Sequence, residues 1–432
     1  MAQEIEQVDV AAASIGAPGW LRRLNSAHGA ALLTLLAYGL AVVARLVSLG
    51  GDISRFTLAS DKFIPSASAR AVGLSVLTRG YGYDGQFYYL LALNPFATHP
   101  ALAGAHFDLP AYRAQRILYP LLTWALSLGG RPALVPWMLV AINLAAIVAI
   151  GALGAKLAQR LGVAPLWGVT LAFYPGLLVS LMGDLAEPLA MACALGGLLC
   201  ALDRRWGWTA LLLSLAVLGR ETTALLAIAL LVVALMEGFF TERIASDLKR
   251  RFPSLGSTRR AVLGGLLAGS TWPYAALAGL APLLVALGWQ AVLLAHWGKL
   301  GLVAAGSNNL GLPLLGLLEG VVAWHVLWPP LTQALHAVEL LYLLALAELA
   351  RRALSLRLRV GWVALAWAGY ALLALCLTLF VWDYYWSFLR GAIELALLSL
   401  LALVAASPRL RCFALGATLT LWLLTLLGGA PM

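Results

Sequence analysis

Apolar stretches of roughly 20 residues recur from Ala30 to Leu427 of this chain, each about as long as a helix that crosses the hydrocarbon core of a bilayer. In hydrocarbon a backbone satisfies its own polar groups only as a helix or a closed barrel, and continuous apolar runs of this length read as helices. The repetition points to one all-α polytopic membrane protein rather than the soluble domains that 432 residues would otherwise allow. Composition agrees. Of the residues 62% are hydrophobic and 11% charged, against about a quarter charged in soluble domains. A soluble enzyme, a disordered chain and a collagen-like chain are thereby excluded.

The runs that can span are 29–49, 133–155, 163–182, 185–202, 206–219, 222–240, 272–296, 331–350, 361–381, 391–406 and 412–428, about 11 crossings. Residues 1–27 carry Glu4, Glu6 and Asp9 and lack the basic-then-apolar order of a cleavable signal peptide. They read as a cytoplasmic tail before a single integral membrane domain, 28–432. The 29 Lys+Arg against 19 Asp+Glu have a topological reading first, and no nucleic-acid motif is present.

With the first run leaving the cytoplasm, the inside segments hold Lys156, Arg160, Arg204, Arg205, the basic 241–260 stretch, Arg351, Arg352, Arg409 and Arg411. The short outer loops then hold Arg220, Lys299 and Arg390, a positive-inside asymmetry. The apolar segment Ile117 to Leu128, only about 12 residues long, is too short to cross and is expected to lie on the outer surface as a juxtamembrane helix. That leaves residues 50–131 as a long first outer, or periplasmic, loop.

The chemistry-bearing residues gather in the segments read as outer. In Tyr81-Gly82-Tyr83-Asp84-Gly85-Gln86-Phe87-Tyr88-Tyr89, the Asp84 carboxylate is a candidate general base or sugar-orienting group. Tyr83, Gln86 and Tyr88 are candidate sugar or lipid contacts. An Asp N-cap on an interfacial helix with an aromatic belt would give the same pattern. Arg113 and Arg116 precede the surface helix, where guanidinium forks suit either a substrate phosphate or lipid headgroups.

Asp184 and Glu187 stand three apart before Pro188, so a helical first turn would put both carboxylates on one face. They form a second acidic site, for an acceptor or a metal, or they favour a helix N-terminus by charge alone. Arg220 and Glu221 interrupt two apolar runs and either face a cavity or pair with each other. Arg390, opening a run from the outer side, is the third candidate for a lipid phosphate besides Arg116 and Arg220. Lys299, Asn308 and Asn309 complete the outer polar groups.

The four cysteines lie in or beside apolar runs with no C-x-x-C spacing, and the six histidines form no H-E-x-x-H pattern, so neither disulfides nor zinc are expected. Walker A and dinucleotide signatures are absent, and no internal repeat of a secondary transporter is visible.

Taken in order, Tyr83-Asp84-Gly85-Gln86-Phe87-Tyr88, Arg116-Ile117-Leu118-Tyr119-Pro120, Asp184 to Pro188 and Gly219-Arg220-Glu221-Thr222 resemble the C-type (GT-C) glycosyltransferase superfamily. The similarity covers roughly residues 29–240 and is greatest to bacterial relatives of the dolichyl- or polyprenyl-phosphate mannosyltransferases. It implies a site facing the periplasm or exterior of the inner (cytoplasmic) membrane. It further implies sugar transfer from a polyprenyl-phosphate-linked donor to a glycan, lipid or small-molecule acceptor hydroxyl, with inversion. By this resemblance Asp84 is the catalytic acidic residue and Asp184 with Glu187 the second acidic position. The loop motif has one acid rather than a D-x-D or E-x-D pair, so no obligatory cofactor is expected and a divalent metal is doubtful. The alternative from the residues alone is a transporter or flippase for a lipid-linked or anionic small molecule, which calls for ionisable groups at mid-membrane.

Overall fold

A computed structural model describes residues 23–251, 271–306, 309–327, 329–357, 361–383 and 385–428; Asn308 and the basic residues of 252–260 lie outside them. Its regular elements are helical, apart from isolated bridges such as Ser60 to Leu77 and Leu310 to Leu377. The protein is accordingly an all-α, multi-pass membrane protein, but the number of crossings differs from the expected one. Among the described residues six helices are long and apolar enough to span: Ala27–Ser48, Val135–Arg160, Glu221–Phe239, Trp272–Trp297, Leu331–Leu354 and Pro408–Leu427. The pair Pro165–Leu171 and Pro175–Met182, bent by 55°, makes a seventh if counted as one broken span.

The remaining four apolar runs fold as the shorter helices Glu187–Leu202, Trp206–Gly219, Gly361–Leu375 and Ile393–Ala405. The longest of these has 16 residues and rises only about 24 Å, short of the ~30 Å hydrocarbon core. The runs 185–202, 361–381 and 391–406 included turn and cap residues, whereas 206–219 coincides with its helix and is simply too short at 14 residues. The 222–240 run errs the other way, since its helix continues to Arg251.

Several long helices present apolar stripes that pack against nothing. On Ala27–Ser48, Leu32, Leu36, Leu40, Val43 and Val47 are all exposed, at the three- and four-residue spacing of one helical face. A bilayer is the medium in which such a stripe is stable. The opposite face packs on Val135–Arg160, which also carries Glu187–Leu202 and the 3-10 turn Pro165–Leu171. The break in the bent pair is closed by tyrosines: Tyr38 donates to the carbonyl of Ala172 at 2.6 Å and Tyr174 to that of Leu389 at 2.6 Å. Each phenol satisfies a buried carbonyl that a regular helix would have bonded internally.

Here the chain comes closest to itself. A Cβ on Gly168 would run into the carbonyl of Gly154, and one on Gly154 into that of Gly168. We expect Gly168→Val to lower stability by about 1–3 kcal/mol or more through overpacking, read as a lower unfolding temperature in nanodiscs. Unchanged unfolding would mean that the two backbones can separate.

The stretch between Ser48 and Val135 is well packed. Its helices Ser66–Ala71, Gly85–Leu93 and Leu118–Leu126 contribute to a small core with Ile64, Leu74, Tyr89 and Leu90 that rests on Val135 and Leu139, while Ala114 of Pro110–Ala114 packs with Leu91 and Leu293. Leu118–Leu126 is the short helix expected there. Arg160 pairs with Asp203 at 2.7 Å, so Val135–Arg160 and Glu187–Leu202 end together. Lys156, Arg160, Arg204 and Arg205 thus share one end of the bundle, and the 50–131 segment caps the other.

Candidate functional site

Five separate segments bring charged side chains together at the capped end. Asp84 precedes helix Gly85–Leu93 in helical conformation and makes no side-chain cap bond. Its carboxylate instead accepts from Arg113 Nη1 at 2.6 Å on one oxygen and from Arg390 Nη1 at 2.6 Å on the other. The N-cap alternative therefore does not hold. The following glycine is needed for contact rather than flexibility: a Cβ on Gly85 would strike the carbonyl of Gly183 and approach that of Thr57 at 2.8 Å. That seats Asp84 against the turn before the second acidic position.

Glu187, the first residue of Glu187–Leu202 and fully buried, is the hub. Its Oε1 receives Arg220 Nη1 at 2.7 Å and Arg116 Nη1 at 3.4 Å, with Arg390 Nε at 3.6 Å. Arg116 also grips Glu221 with two hydrogen bonds, at 2.9 and 2.7 Å. Arg220 donates from Nε to Glu394 at 2.7 Å and from Nη2 to the carbonyls of Arg390 and Gly391. Thr222 donates to the same Glu394 oxygen. Arg113 completes the set with a bidentate pairing to Asp108 at 2.8 and 2.6 Å. Arg220 and Glu221, two alternatives for which were mutual pairing and a cavity, each pair with other partners.

Burial opposes charge on Asp84, but the guanidinium of Arg113, and then that of Arg390, outweigh it and hold the carboxyl well below the usual carboxylate range. Asp184 behaves differently. Its backbone is left-handed, φ 49°, outside the helix, so it does not share a helical face with Glu187. Fully buried and with neither carboxylate oxygen hydrogen-bonded, it is pushed well above the usual range by burial. Burial thus favours its protonated form, while Glu187 makes the site's ion pairs.

Among the candidate sugar contacts, Tyr83 lies under the Arg390 guanidinium, 5.1 Å from ring centroid to Cζ. Tyr88 is buried edge-on to Tyr119. Gln86 is occupied inside the loop, accepting from Ser60 N at 3.0 Å and donating to the Tyr81 carbonyl at 2.9 Å. Those bonds brace the Asp84 turn.

Beside the network lies a cavity of about 320 Å³. Arg116, Arg220, Glu221 and Arg390 form its polar wall, while Leu302, Leu310, Leu373, Leu377 and Val381 form an apolar one. The three arginines read as phosphate ligands thus meet in one place. At the same cavity Asn309 donates to the Tyr112 hydroxyl at 2.9 Å. Among the described residues no three His, Cys, Asp or Glu side chains are grouped to hold a metal ion.

Glu394 and Asp108 escaped the sequence reading. Glu394 sits inside the apolar run 391–406, where an acid three residues into a spanning-type segment is itself a signal of function. Arg113 was singled out only as an anion or headgroup contact, because its partner Asp84 is 29 residues away. No protein-family model matches this chain, and neither a curated protein nor a solved structure matches it.

Proposed function

We propose that this is a membrane glycosyltransferase that moves a sugar from a polyprenyl-phosphate-linked donor to an acceptor hydroxyl at the outer face of a bacterial cytoplasmic membrane. One observation carries the reading: a single cavity is lined by three arginines and by several leucines. Such a cavity suits a ligand that is anionic at one end and hydrocarbon at the other. The likeness of the Asp84, Arg116 and Arg220 motifs to C-type glycosyltransferases supports it.

In the proposed reaction the acceptor hydroxyl attacks the anomeric carbon from the face opposite the phosphate. Its oxygen–carbon bond forms as the carbon–oxygen bond to phosphate breaks with inversion. The bonding pair leaves with the polyprenyl phosphate, stabilised by Arg116, Arg220 and Arg390, and Asp84 takes the hydroxyl proton. Asp84 paired with two arginines is a weak base. A donor phosphate competes with it for Arg390, and as that guanidinium turns to the phosphate the carboxylate regains basicity. Metal is not needed for these steps.

The test is transfer of labelled sugar from polyprenyl-phosphate donor by protein in nanodiscs. Removing one charged hydrogen bond costs about 1.5–3 kcal/mol, so Arg390→Gln should weaken donor affinity roughly 10- to 100-fold. Undiminished donor binding in Arg390→Gln and Arg116→Gln alike would refute the phosphate site. Translocation is the second reading, and Glu339 favours it. That residue is fully buried on Leu331–Leu354, with Oε1 met by Thr425 at 3.4 Å and Oε2 unpartnered. Movement of a sugar-lipid across the bilayer without any transfer product would select that reading.

A further inference from the structure

The short helix Pro110–Ala114 stands between two recesses. Tyr112, with Gln115 and Arg116 just beyond the helix, borders the cavity already described, whereas Pro110 borders a second one of about 430 Å³. His99, Pro100, His106, Phe107 and Trp297 are among the residues that line it. Trp297 and Phe107 meet edge to face, with ring centroids 6.0 Å apart. From there a run of rings leads inward: Phe107 lies 6.3 Å from Phe87, and the Arg113 guanidinium sits 4.2 Å over Phe87. Arg113 in turn holds Asp84. The rings of this recess are therefore linked to the carboxylate of the site through Phe87 and Arg113.

The polar groups complement the rings. His99 and His106 are exposed, and their imidazoles make no hydrogen bond among the described residues. A site of this kind, with flat aromatic surfaces and unoccupied donors and acceptors at the edge, matches a pyranose, which has an apolar C–H face and a rim of hydroxyls. A hydrocarbon chain would leave both imidazoles unused, and an inorganic anion would gain nothing from the rings.

We infer that this recess binds a pyranose ring of the acceptor, next to the Arg113–Asp84 pair and apart from the lipid-phosphate cavity. The inference rests on the glycosyltransferase reading for the word acceptor, but the saccharide site is testable without turnover. The lipid-phosphate cavity and this recess border the Pro110–Ala114 segment, with Phe87 and Arg113 between the recess and Asp84. Arg113, held by Asp108 on the acceptor side, keeps Asp84 in place.

The experiment is saturation-transfer NMR on the full chain in nanodiscs with methyl glucopyranoside, mannopyranoside, galactopyranoside and N-acetylglucosaminide as probes. Polyprenyl phosphate binding and thermal unfolding are measured on the same samples. At least one glycoside should receive saturation, strongest on the C–H protons of one ring face. Loss of one stacking ring by Trp297→Leu or Phe107→Leu should weaken it about tenfold, with Trp297→Phe retaining most of the affinity and polyprenyl phosphate binding unchanged. Should one leucine variant fail to fold, the other carries the test. Absence of glycoside binding in the wild type, or equal binding in both leucine variants, overturns the saccharide site. Failure of polyprenyl phosphate to bind the wild type overturns the functional reading, and glycoside binding sensitive to Trp297 would then stand by itself.

Discussion

In the Asp84→Asn variant, transfer of labelled sugar from a polyprenyl-phosphate donor is expected to fall by at least about 10²-fold while donor binding persists, because a positioned base typically contributes about 10²–10⁴ in rate. The amide keeps the shape of the carboxylate and loses its charge and basicity. Arg113 retains its bidentate grip on Asp108, and Arg390 remains beside Glu187, so neither guanidinium is left alone. Turnover equal to wild type would remove Asp84 from the reaction. The same pairing has a signature in pH. In the free protein Asp84 is held ionised well below the usual carboxylate range, so the acid limb of kcat/KM should lie at low pH. Once the donor phosphate has drawn Arg390 away, the limb in kcat should stand at higher pH. Coincident limbs would mean that Arg390 stays on Asp84 throughout.

The sign for stability follows from the depressed folded value. Asp84 stabilises the fold fully above its unfolded pKa of about 4, and that contribution is lost as pH falls from there through the folded value. Asp184 has the opposite sign. Its raised folded pKa makes the protonated acid the form that suits the fold, so its contribution is present at low pH and declines as pH rises above about 4. Asp184→Asn, which keeps a neutral side chain, should therefore flatten the decline at high pH while leaving Asp84's acid loss in place. Unfolding temperature recorded against pH for wild type and variant checks both slopes.

Glu187→Ala is expected to cost about 1.5–3 kcal/mol, the range for hydrogen bonds to a charged group. Three guanidiniums from three segments, those of Arg116, Arg220 and Arg390, converge on this carboxylate. Each keeps a second carboxylate, Glu221, Glu394 and Asp84 respectively, so the loss falls on the one acid that ties the three segments together and loosens the cap on this end of the bundle. Glu187→Gln keeps the volume and one acceptor and should cost less. Thermal unfolding in nanodiscs distinguishes them, and an alanine variant as stable as wild type would show that packing alone holds these segments together.

Much of the helical content was legible in the chain, since a helix in hydrocarbon needs only a long apolar run. Each of the 11 runs has a helical counterpart, including the broken pair, and the short Leu118–Leu126 helix also falls where expected. What the runs misjudged was which helices cross. Those ending at Met182, Leu202 and Gly219 stop where their helices do, yet Glu187–Leu202 and Trp206–Gly219 are too short to cross by themselves. The gathering of Asp84, Arg116, Glu187, Arg220 and Arg390 in segments read as facing the same side was also legible, because polar residues in such a chain concentrate at its turns.

By itself, the sequence determined the medium, the helical class and the residue types that carry charge, all of which follow from local composition and run length. Tertiary structure alone decided the pairing. Asp84 meets Arg390 across 306 residues and Arg220 meets Glu394 across 174, separations at which spacing along the chain carries no information. It also decided that Glu187 would be shared by three guanidiniums while Asp184, three residues earlier and equally buried, would have no hydrogen-bond partner. A carboxyl's ionisation depends on the cations and water within a few ångströms, and only packing sets those neighbours.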